Sequence, residues 1–431
     1  MSFKETEVGR IPIDWEVDEL SNKVDLVMGQ SPKSEFYNDK GIGMPFMQGR
    51  TTFGEKYHYI NTWCTDIKRV GIKNSVLMSV RAPVGDVNIA IEDICIGRGL
   101  ASLNMKNKNN EFLYYLLKNY SGLLISKESG TVFGSINKAG IEKLVLPFPS
   151  KSEQKAIAKI LSDLDEKIEV NNKINKNLEE MAQAIFKQWF VDFEFPNEEG
   201  KPYKSSGGEM VKSELGMIPK GWKVFYMEEF LNTYNGYSYK GKELTKSNDA
   251  MITIKNFDRK GGYKLDGLKE ISISNKVKEH HYIDINDILI AHTDLTQGAE
   301  IIGNPIMVYS KGKYNKLIMS MDTVKVTSKK SNINNSLLYY IFKDFRFKSF
   351  ALKFVNGTTV LHLSKTTIPK YKIALPNDEN ILLKIGGILN SLTNKISNNI
   401  IENERLEKLR DTLLPKLMSG EIRVCLENSE N

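Results

Sequence analysis

Two segments of this 431-residue sequence have the residue types of a phosphate or metal site. Gly236-x-x-x-x-Gly241-Lys242 has the spacing of a phosphate-binding loop, but Glu243 stands where a Ser or Thr would hold Mg²⁺. A carboxylate at that position repels phosphate, so a polar turn is the favoured interpretation. His280-His281 has no third ligand or acidic partner at useful spacing, which favours an ordinary loop or core pair.

Other chemical motifs are missing from the sequence. It contains no Asn-Pro-Pro-Tyr-like segment for adenine methylation and no G-x-G-x-x-G after a predicted strand. Cys64, Cys95 and Cys425 are far apart and form no C-x-x-C, which argues against disulfide and zinc sites. We therefore expect this chain to have no catalytic residues and to bind no cofactor or metal of its own.

Positive charge is concentrated in one part of the chain. Lys and Arg outnumber Asp and Glu by 25 to 14 over residues 215–377, a net charge of +11, but only by 18 to 17 over residues 1–150, a net charge of +1. A local positive excess suits a polyanionic ligand, because neutralising phosphates releases condensed counterions. A lysine-rich solvated surface is the alternative. If the ligand is DNA, the second segment is expected to contribute more non-specific phosphate affinity than the first.

The elements that must position any such site occur twice, in the same order. Glu7 to Val17 recurs as Glu214 to Val224, at an offset of 207 residues, and Leu113 to Lys118 recurs as Leu338 to Lys343, at an offset of 225. Gly130-Thr131 and Lys138-x-x-Ile141 recur as Gly357-Thr358 and Lys365-x-x-Ile368, at an offset of 227. Matches in one order predict two copies of one module. The growth in offset implies about eighteen extra residues in the first half of the second copy, where loops vary most.

Two heptad patterns, matched at an offset of 228, predict two long helices, over residues 151–192 and 378–419. We expect the helices to pack against each other, with a bundle core inside one domain as the alternative. Paired Asn residues at matched seam positions would fix the register at a cost in stability. Pro415 and Gly420 are predicted to end the second helix. The predicted seam residues are Leu161, Leu164, Ile168, Asn171 and Leu178 in the first helix and Leu389, Leu392, Ile396, Asn399 and Leu406 in the second.

The remaining segments complete an α/β (α+β) architecture of tandem domains with a pseudo-twofold internal repeat. Residues 1–150 and 215–377 are predicted to be mixed domains, in which residues 75–80 and 287–291 form buried strands and the Leu-Tyr-Tyr segments form short helices. Residues 193–214 have the composition of a linker, and residues 420–431 are a tail. No run of 18 apolar residues occurs and the N-terminus is charged, so we expect a cytoplasmic protein without a membrane span.

The sequence resembles the specificity subunit of a type I restriction-modification system over nearly its whole length. The segments that carry the resemblance are the two Ile-Pro-x-x-Trp openings, Gly29-Gln30-Ser31-Pro32, residues 44–49 (Met-Pro-Phe-Met-Gln-Gly), residues 79–85 (Ser-Val-Arg-Ala-Pro-Val-Gly), Gly130-Thr131, and residues 146–149 (Leu-Pro-Phe-Pro) leading into Glu153-Gln154-Lys155. The second copy departs from the pattern, because His292-Thr293-Asp294 stands near where the Arg-Ala-Pro segment would fall.

The resemblance implies a DNA-recognition scaffold without its own chemistry. Each domain would be a target-recognition domain for one half of a bipartite duplex site, and the helices would form an antiparallel coiled coil that sets the spacer. Two modification (methyltransferase) subunits would bind S-adenosylmethionine and methylate adenine. Restriction (endonuclease and translocase) subunits would use ATP and Mg²⁺ and cut DNA. The alternative is a non-enzymatic coiled-coil adaptor whose duplicated domains bind protein or glycan.

DNA contacts would come from loop residues, because Arg and Gln or Asn distinguish the edges of guanine and adenine. The candidates are Gln48, Arg50, Thr51, Arg81, Thr131, Ser135 and Lys138 in the first domain and Lys255, Asn256, His292, Thr293, Thr358, Thr359, His362 and Lys365 in the second. The hydroxyl and lysine residues are expected to bind the DNA backbone rather than to read bases. A surface-loop or turn role is the alternative for each.

Overall fold

The computed structural model describes residues 2–126 and 134–424. The chain forms two compact units, one built from residues up to 169 together with those from 405 onward, and the other from residues 170–404. Each unit combines a sheet-rich domain with part of each long helix. Within the described ranges, no helix is long and apolar enough to cross a membrane.

An antiparallel four-stranded sheet forms the centre of the first domain. Its strand order is Val87–Ile89, Val76–Ser79, Leu100–Met105 and Val24–Met28. Every residue of Val76–Ser79 is buried, which confirms the strand predicted there. The short helix predicted from the Leu-Tyr-Tyr segment is confirmed as Asn110–Asn119, whose first turn is capped by the Asn109 side chain.

A second sheet of the first domain contains a parallel pair, Met44–Met47 beside Ile94–Ile96. Its order is Tyr37–Asn38, Trp63–Cys64, Met44–Met47, Ile94–Ile96 and Val70–Gly71. The other elements are the strand pairs Phe3–Thr6 with Gly9–Pro12 and Glu16–Glu19 with Val145–Phe148, the short helices Leu20–Lys23, Ser121–Ser126 and Lys138–Glu142, and the 3-10 turns Ser34–Phe36 and Arg50–Thr52.

The second domain repeats this topology. Its central sheet has the order Pro305–Met307, Ile288–Ala291, Thr323–Ser328 and Leu231–Asn235, and its second sheet has the order Lys269–Glu270, Ala250–Ile252, Leu317–Met319 and Tyr282–Ile283. The pair Ala250–Ile252 and Leu317–Met319 is again parallel. The matching strand orders confirm the internal repeat, and the buried strand Ile288–Ala291 confirms the one predicted at residues 287–291.

Further elements of the second domain include a small third sheet of Thr293–Asp294, Leu361–Leu363 and Val355–Asn356. The remaining elements are the strand pairs Met210–Ser213 with Gly216–Pro219 and Trp222–Tyr226 with Lys372–Pro376, the helices Asn335–Lys343, Phe345–Ala351 and Thr367–Lys370, and the 3-10 turns Met227–Glu229, Gly241–Glu243, Ile254–Asn256, Glu279–His281 and Leu352–Phe354.

The two long helices are Lys151–Phe190 and Glu379–Met418, each 40 residues long. They run antiparallel, because higher residue numbers on one helix meet lower numbers on the other. In the first unit Arg410 Nη1 lies 2.7 Å from Asp165 Oδ1. In the second unit the Nδ2 of Asn171 donates to Asn403 Oδ1 at 2.8 Å, and the Nδ2 of Asn399 donates to Asn175 Oδ1 at 2.8 Å.

The prediction that Pro415 ends the second helix is wrong, since the helix continues to Met418. Proline removes one amide donor to the preceding turn, but its own carbonyl still accepts from Ser419 N at 3.0 Å, a distance typical of a helical turn. The chain leaves the helix at Gly420, which has a φ of +71°.

Residues 193–214 have the composition of a linker, but in the structure they pack through aromatic side chains and include a strand. Phe195 is buried and stacks on Tyr203 with ring centroids 4.7 Å apart. Phe195 also lies 5.2 Å from the Trp222 ring. The segment ends in the strand Met210–Ser213, so aromatic packing outweighs its glycine and proline content.

Candidate nucleic-acid interface

Backbone hydrogen bonds bring several predicted contact residues of the first domain into adjacent segments. Gly99 N donates to Gln48 O at 3.1 Å, Val80 N donates to Gly99 O at 2.9 Å, and Ile136 N donates to Val80 O at 3.1 Å. Arg81 and Ser135 form an antiparallel bridge. Gln48, Arg81 and Ser135 therefore share one edge of the domain.

Close packing against two glycines fixes the position of Gln48. A Cβ on Gly97 would lie 2.6 Å from Gln48 Oε1, and one on Gly99 would lie 2.5 Å from the Gln48 carbonyl. The Ser31 hydroxyl donates to Gln48 Oε1 at 2.8 Å and accepts from Arg98 N. Gln48 is exposed, so its Nε2 can still face a ligand.

The other first-domain candidates lie near this edge or outside the described residues. Arg50 and Thr51 are exposed; Arg50 pairs with Asp86, and the Thr51 carbonyl accepts from Tyr59 Oη at 3.1 Å. Lys138 is exposed and lies 3.4 Å from Glu142. Thr131 falls in the gap at residues 127–133, outside the described part of the chain.

The second domain has the same backbone hydrogen-bond pattern, made by different residues. His292 N donates to Asp322 O at 2.8 Å, and Leu363 N donates to His292 O at 2.9 Å. Thr293 pairs with His362 in the small third sheet. Thr293 therefore stands at the place of Arg81, and His362 at the place of Ser135.

Side-chain exposure differs between these equivalent positions. Arg81 is exposed, whereas Thr293 is buried and donates through Oγ1 to Asp322 Oδ1 at 3.1 Å. His292 is buried too. Burial, reinforced by the nearby Lys365 and His362, lowers the pKa of His292, which favours its neutral form.

The remaining second-domain candidates fall into an exposed group and one buried residue. Lys255, Thr358, Thr359, His362 and Lys365 are exposed. Asn256 is completely buried; its Oδ1 accepts from Thr253 N at 2.9 Å and its Nδ2 donates to Lys264 O at 2.7 Å. A DNA contact through the Asn256 amide requires these hydrogen bonds to break.

A cavity of about 590 Å³ adds residues that the sequence did not single out. Its lining includes Lys255, Arg259, Lys260 and Lys264 together with Asp294 and residues 295–296. Arg98 in the first domain is likewise exposed beside Gln48. The glycines that flank Arg98 were the available sequence signal, since both are needed for the approach of Gln48.

The predicted seam residues are buried or half-buried along the two long helices. Leu161, Ile168, Asn171, Leu389, Ile396 and Asn399 are buried, and Leu164, Leu178, Leu392 and Leu406 are half-buried. The side-chain amides of Asn171 and Asn399 both donate hydrogen bonds to Asn residues of the opposite helix.

The segments with chemical motifs have structural roles. The Glu243 carboxylate accepts from Lys240 N at 2.6 Å and Tyr237 Oη at 2.8 Å. These bonds hold the pKa of Glu243 below its ordinary value, so the loop presents a negative charge. His281 Nδ1 accepts from Lys278 N at 3.0 Å. Over residues 2–126 and 134–424, no cluster of three or more His, Cys, Asp or Glu has metal-site geometry.

Comparison with known proteins agrees with this architecture. The family model described as type I restriction modification DNA specificity domain matches residues 12–180 and 219–409. The chain is 42% identical over 188 residues to the MjaX type I specificity subunit of Methanocaldococcus jannaschii, covering 43% of this chain and 44% of that relative. It is 29% identical to the MjaIX specificity subunit of the same organism over 98% of this chain and 96% of the relative.

A solved structure, the type I restriction-modification S subunit of M. genitalium, has the same fold with a TM-score of 0.57. The two sequences are 18% identical, and the match covers 94% of this chain and 96% of the M. genitalium chain. With two family matches that together span most of the sequence, the chain belongs to the type I restriction modification DNA specificity domain family.

Proposed function

We propose that each domain of this DNA specificity protein reads one half of a bipartite duplex site, and that the long helices set the distance between the halves. One observation carries this proposal: equivalent positions in the two domains share a backbone frame but differ in side chain, as Arg81 and Thr293 do. A shared frame with different contact residues suits the reading of two different half-sites.

The length of the helices fits the role of a spacer. Forty residues extend about 60 Å at 1.5 Å per residue, against about 34 Å per turn of duplex. Such a spacer can separate half-sites by more than one turn.

The chemistry belongs to partners in this proposal. Two modification subunits bind S-adenosylmethionine and methylate adenine, and restriction subunits use ATP and Mg²⁺ to move along and cut DNA. This chain supplies specificity in the cytoplasm and no catalytic group. The carboxylate in its loop at Gly236 to Glu243 supports this division, since it disfavours a bound nucleotide phosphate.

Fluorescence anisotropy tests the proposal. The chain, purified with its modification subunits, is titrated with a duplex carrying the bipartite site that it directs for methylation. We expect affinity to fall by about a hundredfold or more between 50 and 200 mM salt, because phosphate binding releases counterions. Binding that does not change with salt, or equal affinity for all duplexes, would contradict the proposal.

A further inference from the structure

The loops that follow the matching central strands differ in length. Seven residues, 80–86, join Val76–Ser79 to Val87–Ile89, whereas thirteen, 292–304, join Ile288–Ala291 to Pro305–Met307. We call the latter the 292–304 loop. Its Leu295 is 65% exposed. Its Gln297 Nε2 donates to the Thr358 carbonyl at 2.5 Å, so the loop lies against a predicted DNA-contact segment.

Asp294 holds the loop from inside. Its side chain is completely buried. Oδ1 accepts from Thr296 N and Thr296 Oγ1, both at 2.8 Å, and Oδ2 accepts from Ile301 N at 2.7 Å and Ile302 N at 3.1 Å. Burial opposes ionisation, but these hydrogen bonds outweigh it and keep the pKa of Asp294 below its ordinary value. One carboxylate thus ties the start of the loop to its end.

Lys348 holds the same loop from the neighbouring helix, Phe345–Ala351. Its Nζ donates to the carbonyls of Ala299 at 2.9 Å, Ile302 at 2.5 Å and, more weakly, Glu300 at 3.4 Å. The side chain is half-buried. Burial lowers the pKa of Lys348 to about 8, and the Asp294 carboxylate opposes that shift. The three carbonyl contacts place the Lys348 amine against the end of the loop.

The first domain has a small residue at the place of Lys348. A Cβ on Gly85 would lie 3.3 Å from Leu124 Cβ and 3.6 Å from Ser121 O; one on Gly303 would lie 3.2 Å from Ala351 Cβ and 4.0 Å from Lys348 Cδ. Both glycines have positive φ. Leu124 and Ala351 therefore occupy equivalent places, and Lys348, three residues before Ala351, corresponds to Ser121, three residues before Leu124. The lysine occurs in the copy whose loop is six residues longer, as thirteen against seven.

We propose that Lys348 and Asp294 are positioning residues for half-site recognition by the second domain. Together they fix the shape of the 292–304 loop, and through the Gln297 contact they place the segment that carries Thr358. This role rests on the proposed function, but neither residue needs to touch DNA. Lys348→Met removes the donors while keeping an unbranched side chain, Lys348→Arg keeps a cation, and Lys276→Met removes an exposed lysine of the same domain as a control.

We call the contacts of Lys348 and Asp294 with the 292–304 loop the Lys348 clamp. Hydrogen–deuterium exchange tests this clamp without DNA, on the full chain with its modification subunits. In Lys348→Met we expect amides of residues 301–304 to exchange about tenfold faster or more, because their hydrogen-bonded state opens more often. Lys348→Arg should restore part of the protection, and Lys276→Met should match wild type. Unchanged exchange in Lys348→Met would overturn the clamp. If Lys348→Met does not fold, Asp294→Asn, which removes the charge but keeps the side-chain size, is measured in its place.

Anisotropy with three duplexes tests the effect on recognition. They carry the intact site, a scrambled first half-site or a scrambled second half-site. We expect Lys348→Met to reduce discrimination at the second half-site by about tenfold and to leave discrimination at the first unchanged. Equal weakening on every duplex, with a smaller salt slope, would mean that Lys348 binds phosphate directly and would overturn the positioning role. Faster exchange with unchanged discrimination would also overturn it, while the proposed function would stand. Wild-type protein without half-site preference would overturn both.

Discussion

At the residue scale, the two domains carry different side chains at equivalent backbone positions. Arg81 extends from an exposed position beside Ser135, whereas Thr293 is buried against Asp322 beside His362. Arginine can donate two hydrogen bonds to one guanine, and a buried threonine cannot. Under the proposed function, the two domains would therefore offer different chemistry to DNA from the same frame.

Arg81→Ala tests this difference. We expect the variant to lose about 1–3 kcal/mol of discrimination at one base pair of the first half-site, with the second half-site unaffected. Competition anisotropy with single-base variants of the site measures it. Arg10→Ala, at another exposed arginine of the first domain, serves as the control. Uniform weakening on all variants would assign Arg81 to phosphate binding.

Buried histidines predict an acid sensitivity that is local to each domain. Burial lowers the pKa of His292 in the second domain and of His58 in the first. Below about pH 6.5 the unfolded chain then binds more protons than the folded one, so the free energy of unfolding falls as the pH falls, until it passes the folded pKa.

Exchange measured from pH 7.5 to 5, corrected for the intrinsic rate, should therefore show each domain losing protection on acidification. His292→Gln should reduce this loss in the second domain, where burial also lowers the pKa of His281, and His58→Gln should reduce it in the first. A pH dependence that neither substitution changes would contradict the assignment.

Residue type alone predicts the exposure of some contact candidates and fails for others. Gln48, Arg81 and Lys365 are exposed, in keeping with their selection as loop residues. Asn256 instead holds its own turn together, and a short-range capping hydrogen bond of this kind is decided by backbone geometry. The Lys348 clamp joins residues about 50 positions apart, so no local pattern could reveal it.

At the scale of elements, each domain is joined to the long helices through a tyrosine. In the first unit the Tyr115 hydroxyl donates to Asp165 Oδ2 at 2.5 Å, and in the second the Tyr340 hydroxyl donates to Glu179 Oε2 at 3.2 Å. A cation completes both contacts, Arg410 in the first unit and Lys343 in the second. Such contacts fix each domain to its own half of the helix pair.

The heptad pattern revealed these helices because a 40-residue amphipathic repeat has few alternative structures. The small third sheet was not predicted, since its strands of two and three residues are too short to show periodicity.

The asparagine pair at the helix interface should fix the register. Asn171→Leu leaves Asn403 without its amide donor, and we expect a loss of about 1–3 kcal/mol in the free energy of unfolding. Asn171→Leu with Asn403→Leu should recover much of this loss, because two apolar residues replace two polar ones. Urea unfolding of the four members of this cycle measures the coupling. Asn177→Leu, at an exposed position, is the control, and additive effects would contradict the pairing.

Shortening both helices should shorten the spacer. Deleting residues 168–174 and 400–406 removes one heptad from facing positions, because Asn171 opposes Asn403. The helices lose about 10.5 Å, which corresponds to about three base pairs. We expect the methylated motif to keep both half-sites with a spacer shorter by that amount. The same spacer in the deletion variant would refute the ruler role.

At the scale of the whole molecule, a duplicated frame carries unequal surfaces. The family matches span both halves. Residues 1–150 contain 18 basic and 17 acidic residues, a net charge of +1, and residues 215–377 contain 25 basic and 14 acidic residues, a net charge of +11. The repeat was visible in the sequence because its openings and helices keep their residue types. Its differences lie in loops such as 292–304, whose shape depends on contacts far apart in sequence.

Sequencing the methylated sites in a host that carries this chain and its modification subunits tests directly whether the two domains read two half-sites. We expect one methylated motif made of two different half-sites separated by a fixed stretch of unspecified bases. Arg81→Ala should relax only one half-site, and Lys348→Met only the other. A single uninterrupted motif, or two variants that relax the same half-site, would contradict it.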